Sequence, residues 1–211
     1  MTTVFKKTEK CSVCGEDSQQ SVVGSASSFG SMDLDMRPSE MLRSAMRYWI
    51  KECPHCGYTA NSLVKPIKCD KEYLKSPEYK DFPDPSPIST LARQFARKAR
   101  ISIKEADYVG ASKAYMNAAW ASDDERDETW QSEFRMLVMQ MMERFNEKEM
   151  DDNQRVLRAD LLRKTRQFER LIQEYENVSF ENDFLNKIAR FQILKAKDKD
   201  TATYTVKDIP S

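Results

Sequence analysis

Glycine is scarce in this chain: there are five in 211 residues, at positions 15, 24, 30, 57 and 110. Those five cannot compose a G-x-G-x-x-G or G-x-x-x-x-G-K-[ST] loop, so no nucleotide is expected as a ligand. Histidine is scarcer still, with His55 the sole example. A Ser-His-Asp or Cys-His centre would have to be built on it, so the chain is not expected to be an enzyme of the common kinds. Excess charge is missing as well, because 34 lysines and arginines balance 34 acids. That balance gives no global pull towards nucleic acid or an anionic membrane. No apolar run approaches the ~20 residues that span a bilayer. The opening Met1-Thr2-Thr3-Val4-Phe5-Lys6-Lys7 has no apolar segment after its lysines, so no secretory signal is expected. Five cysteines, four of them in metal spacing, fit a reducing compartment better than a disulfide framework. The chain reads as cytoplasmic, with no membrane partner.

What is present begins with two short cysteine elbows, Cys11-Ser12-Val13-Cys14-Gly15 and Cys53-Pro54-His55-Cys56-Gly57-Tyr58. Two residues between the cysteines let both sulfurs point to one side, and the following glycine can take the positive φ that closes the turn. Two such elbows facing each other supply four thiolates at the corners of a tetrahedron, the set that a structural Zn²⁺ takes. The 38 residues between Cys14 and Cys53 exceed the spacing of a compact ribbon. Doubling a loop costs only about 0.6 kcal/mol of closure entropy. A structural zinc contributes on the order of 10–16 kcal/mol, so the long insert does not veto the site. Redox dithiols, or cysteines without a ligand, are the other readings of the same residues.

In chain order, residues 1–64 read as a small β head. Val4 and Phe5 mark one strand, and Gln19 to Phe29 carries another. In Ser31-Met32-Asp33-Leu34-Asp35-Met36-Arg37-Pro38 the apolar residues alternate with charged ones, the period-2 pattern of a half-buried strand. Asp33, Asp35 and Arg37 then share one face, which is either a small polar site or, more blandly, a solvated strand face. A short helix is expected over about 39–47, and Tyr48-Trp49-Ile50 as a strand whose aromatics cover the metal cluster. Residues 65–87 hold five prolines (66, 77, 83, 85 and 87) with Tyr73, Tyr79 and Phe82, and read as a linker docked on a neighbour. Cys69, in that linker, reads as a small buried residue or an ordinary thiol, with a fifth-ligand role the sharper alternative.

From about 88 to 199 the pattern is helical, and the tail 200–211 is expected to fray. Amphipathic stripes predict helices near 88–103, 105–121, 124–148, 152–176 and 181–197. In the second, Tyr108, Ala111, Tyr115 and Ala118 have the small-and-aromatic spacing of a tetratricopeptide hairpin. Arg166 to Tyr175 echoes it faintly, and Met136, Met139, Met141 and Met142 read as core packing. Charge is segregated: 93–104 is basic, 123–152 acidic and 153–170 basic again, so helices of opposite sign attract when stacked. A nucleic-acid patch on the 93–104 helix is the sharper reading of that pattern.

The order Cys-x-x-Cys-Gly, then Asp33-Leu34-Asp35-Met36-Arg37-Pro38, then Trp49-Ile50-Lys51-Glu52-Cys53-Pro54-His55-Cys56-Gly57-Tyr58 resembles a bacterial family of unknown function. The resemblance implies a zinc-ribbon-like head before a tetratricopeptide-like helical body, with Cys11, Cys14, Cys53 and Cys56 as metal ligands. It carries over no catalytic residue. The fold expected is mainly α with a small β zinc-ribbon-like head. The function expected is a non-enzymatic zinc-binding adaptor whose helical body meets a protein partner. RNA or DNA binding through the ribbon and the 93–104 helix is one alternative, and redox sensing by the zinc-thiolate site is another.

Overall fold

The computed structural model describes residues 2–82, 88–144 and 150–210. Two separate antiparallel hairpins form the head. In the first, β1 (Thr3–Lys10) pairs with β2 (Asp17–Ser25), Lys10 opposite Asp17 and Phe5 opposite Val22. In the second, β3 (Lys51–Glu52) pairs with β4 (Thr59–Ala60). Each cysteine elbow is the turn of one hairpin, so strand pairing delivers both ends of each elbow to a fixed place.

Between the hairpins, the strand expected over 31–38 does not form. Asp33 to Arg37 is instead a turn: the Asp33 N–H donates to the Arg37 carbonyl at 2.9 Å, and Met36 sits at φ 68°. The expected alternation is not kept: Leu34 is buried together with its charged neighbours. Asp33, Asp35 and Arg37 are buried, while Met32 and Met36 are exposed. The solvated-face reading is therefore corrected, and the reason is that buried charges of the body await these side chains. The helix expected at 39–47 appears as a 3-10 segment, Ser44–Tyr48. Trp49 packs against the body core rather than the cysteines.

The next stretch holds a 3-10 turn, Lys71–Lys75, and a one-turn helix α1, Pro77–Lys80. Tyr79 is 1% exposed, and the Phe82 ring lies edge-on to Trp130 at 6.1 Å. Pro83, Pro85 and Pro87, expected to break this linker, lie outside the described residues, as does Phe145.

Six further helices make the body: α2 (Thr90–Lys104), α3 (Tyr108–Asp124), α4 (Glu128–Met142), α5 (Asp152–Lys164), α6 (Phe168–Tyr175) and α7 (Asp183–Lys197). The protein is thus mainly helical with a small β head. Alanines 111, 114, 118, 119 and 121 keep α3 thin enough to pack between α2 and α4. Tyr115 stacks on Phe134 at 6.0 Å, and Phe134 on Trp130 at 5.2 Å. Met139, Met141 and Met142 are core, and Met136 is half-exposed.

One turn chemistry recurs through the body. Ala106, Arg126, Arg166 and Lys199 all take left-handed φ of 55–61°. After each, the next residue's N–H reaches back to a carbonyl five residues earlier: Asp107 to Ser102, Asp127 to Ser122, Gln167 to Leu162 and Asp200 to Lys195, at 2.8–3.0 Å. This double closure satisfies the last carbonyls of each helix. Three of these turns join helices in hairpins of the tetratricopeptide kind. The third splits the single helix expected over 152–176 into α5 and α6, because Arg166 leaves the helical region.

The tail does not fray over 200–206. Leu34 N–H donates to the Tyr204 carbonyl at 2.8 Å, and Asp33 forms a bridge with Thr205. The wholly buried Arg163 donates to the carbonyls of Asp200 and Ala202, both at 2.9 Å. A guanidinium buried on α5 needs acceptors, and the tail supplies two.

Candidate metal centre

The two hairpin turns meet tip to tip. Gly15 and Gly57 take φ of 81° and 74°, and each donates its N–H back to the first cysteine of its elbow, at 2.8 and 2.9 Å. The sulfurs of Cys11, Cys14, Cys53 and Cys56 lie within 4.8 Å of one another. Across the pair of turns, Cys11 meets Cys56 and Cys14 meets Cys53, both at 3.7 Å between sulfurs. A tetrahedron of sulfurs at the usual Zn–S length has an edge of about 3.8 Å, so the spacing fits one ion at the centre. Four cysteines, two from each hairpin, are positioned to hold a metal ion. Cys69 is not in that group; it packs half-buried beside it, with Ile67 and Tyr73. His55 is exposed on the rim of the second turn.

In the free thiols the environment is uneven. The Glu16 backbone N–H bond pulls Cys14 down, and burial pushes Cys53 and Cys56 up. Thiols held protonated by burial deprotonate when an ion enters, so ion and proton compete for the site.

Around the cysteines lies a small core of Tyr58, Leu63, Leu74, Tyr79 and Ile101. Beneath it Glu9 and Lys51, both under 10% exposed, form an ion pair, and the second Glu9 oxygen accepts from Leu63 N–H at 3.0 Å. Burial would raise the Glu9 carboxyl, but Lys51 and the Leu63 N–H outweigh it and hold it low. Helix α1 braces the same centre through Tyr79. Its hydroxyl donates to the Gly57 carbonyl at 2.8 Å and contacts Thr59 Oγ1 at 3.1 Å. Beside Cys53, Glu52 accepts from Arg97 at 2.9 Å and Gln94 at 3.1 Å, both on α2.

These contacts occupy the basic helix. Arg97 binds Glu52 and lies over the Tyr79 ring at 5.6 Å. Arg100 donates to the Asp81 carbonyl at 2.6 Å and covers Phe82 at 3.9 Å. Lys104 pairs with Glu78 at 3.0 Å, and Lys98 donates to Ser102 Oγ at 2.7 Å.

Asp33, Asp35 and Arg37 lie away from the metal centre, at the joint between head and body. Arg37 donates twice to Asp124, both bonds at 2.7 Å, and Asp33 accepts from Arg43 at 2.6 Å. Asp35, 1% exposed, accepts from Lys164 at 3.0 Å and from Arg135 at 3.4 Å. Arg135 also holds Asp123 at 2.6 Å, and Arg163 holds Asp160 at 2.8 Å. Five carboxylates (33, 35, 123, 124, 160) thus face five cations (37, 43, 135, 163, 164). Burial would raise Asp35, but Lys164 and Arg135 outweigh it and hold the carboxyl low; Asp33, with less compensation, is pushed up by burial. Sequence reading singled out three members of this network and missed their partners, which lie as many as 129 residues away.

Fold and site together define the class: a mainly α protein whose small β head gathers four cysteines for one metal ion. The chain belongs to the family described as an uncharacterized protein conserved in bacteria (DUF2225), which it matches over residues 4–202. No curated protein and no solved structure matches it.

Proposed function

We propose that this chain is a non-enzymatic zinc protein of the cytoplasm that serves as an adaptor, its zinc folding the head and its helical body receiving a protein partner. The observation that carries the zinc assignment is the four-sulfur cluster at tetrahedral spacing. Thiolates select zinc among the common divalent ions, and four of them leave no open position where water could be activated. The metal is therefore structural. Support for an adaptor body comes from its construction: hairpins joined by repeated turns, locked to the head by Tyr79, Glu52 and the buried charge network, so that head and body present one continuous surface.

The nucleic-acid alternative draws less support, because Arg97, Arg100 and Lys104 of α2 are engaged by Glu52, the Asp81 carbonyl, Glu78 and two aromatic rings. Affinity capture from native cytosol with the intact, zinc-loaded chain tests the adaptor reading, followed by reconstitution with the purified partner. A stoichiometric binary complex is expected. Failure of every captured protein to bind in purified form contradicts it.

A further inference from the structure

A cavity of about 450 Å³ opens where the start of α4 and the α5–α6 turn meet the docked tail. It shares no residue with the metal centre. Every residue that lines it is polar or charged. An apolar or aromatic ligand would find no apolar floor there, so the occupant is hydrophilic.

The floor is charged and already paired. Arg135 holds Asp123 at 2.6 Å, and Lys164 holds Asp35 at 3.0 Å and donates to Thr203 Oγ1 at 3.2 Å. Both cationic side chains are under a tenth exposed. Two exposed groups of the rim stay unpaired: Glu128, the first residue of α4, and Arg166, at the left-handed turn after α5. Neither side chain makes an ion pair or a hydrogen bond among the described residues, and no bridge joins the two. The hydroxyls of Thr129, Ser132 and Thr201 are likewise without a bond among the described residues.

This distribution selects the charge of the ligand. With Asp35 behind the floor, the carboxylates Asp35, Asp123 and Glu128 balance the cations Arg135, Lys164 and Arg166, so neither a net anion nor a net cation gains a field on entering. A phosphate would meet the Glu128 carboxylate and a metal ion the Arg166 guanidinium, each with like-charge repulsion. One free acid and one free base, offered by different elements, fit a molecule that carries both signs.

We propose that this cavity binds a polar α-amino acid as its zwitterion, the ammonium on Glu128, the carboxylate on Arg166, and the side chain among the hydroxyls of Thr129, Ser132 and Thr201. A guanidinium takes a carboxylate through two parallel N–H bonds, and an ammonium donates to a carboxylate with charge assistance. Hydroxyls donate and accept, which suits a carboxamide side chain such as that of glutamine. The site goes beyond the adaptor reading and stands without it, because it needs no protein partner.

The test is calorimetric titration of intact, zinc-loaded protein with L-glutamine, with N-acetyl-L-glutamine, which lacks the ammonium, and with L-glutamine α-amide, which lacks the carboxylate. Glutamine should bind saturably, and each capped analogue about tenfold more weakly or worse. Arg166→Gln should bring glutamine down to the level of the α-amide while leaving the α-amide unchanged. Glu128→Gln should do the same relative to the N-acetyl compound. The analogue that each variant still binds as wild type does also shows that its cavity is intact. No saturable binding of glutamine into the millimolar range, capped analogues that bind as well as glutamine, or variants that keep the wild-type preference would overturn the assignment.

Discussion

Lys164 Nζ donates to Asp35 Oδ2 at 3.0 Å across 129 residues of chain, and both side chains are under a tenth exposed. The contact joins a turn of the head to the end of α5. Because Arg135 shares the same carboxylate, removing Asp35 takes the nearest counter-ion from buried Lys164 and one of two from buried Arg135. Asp35→Ala should therefore lower stability by about 3–5 kcal/mol, far beyond a surface ion pair. Urea denaturation at neutral pH measures it, and a loss under about 1 kcal/mol would show the network to be slack.

The same network sets an acid limb. Asp35 titrates below its unfolded value, so its contribution is present above the ordinary carboxylate pKa and is lost as pH falls through the lower folded value. Asp33 is raised, so its sign is opposite: protonating it favours the folded chain. Asp35→Asn should flatten the decline in urea midpoint between about pH 5 and pH 3, and Asp33→Asn should steepen it. Matching slopes in the two variants would contradict the assignment.

Left-handed turns offer a gain. Ala106 and Arg126 hold φ of 57° without being glycine. Ala106→Gly and Arg126→Gly relieve that strain at helix ends, where glycine is the favoured residue. Each should raise stability by about 0.5 kcal/mol or more, net of the entropy glycine adds to the unfolded chain. Thermal melts of the single variants decide; a drop in either would mean the turn is not strained.

Much of this architecture was legible in the chain. The elbows stood out because ligand spacing is local: Cys11 to Gly15 and Cys53 to Gly57 carry their own geometry. The helices of the body stood out because apolar residues repeat at their period. Three features escaped. The 31–38 stretch reads as a strand only if Met32 and Met36 are taken as core, whereas buried charges elsewhere pull Asp33, Asp35 and Arg37 inward. The break at Thr165–Gln167 has no glycine or proline to announce it. The docked tail depends on Arg163, whose need for acceptors is set by burial and invisible in local sequence.

Tyr79 links metal and body. Tyr79→Phe removes one hydroxyl that serves both Gly57 and Thr59, at a cost of about 1 kcal/mol. Zinc should also leave faster to a chelator, because the second turn loses its brace. Release kinetics with a chromogenic chelator at fixed pH measure this; an unchanged rate would separate the body from the centre.

The basic helix should not act as a nucleic-acid surface. With Arg97, Arg100 and Lys104 engaged, retention of the intact protein on single-stranded DNA or RNA should be negligible even at low salt. Strong retention falling steeply with added salt would reverse that.

The most direct measurement is elemental analysis of protein purified without chelator, paired with cobalt substitution of the metal-free chain. One zinc per chain is predicted, with the charge-transfer and d–d bands of a tetrahedral four-thiolate cobalt site that vanish in Cys11→Ser or Cys56→Ser. Protein that is fully folded without metal, with Cys11, Cys14, Cys53 and Cys56 all open to thiol reagents, would contradict the account at its centre.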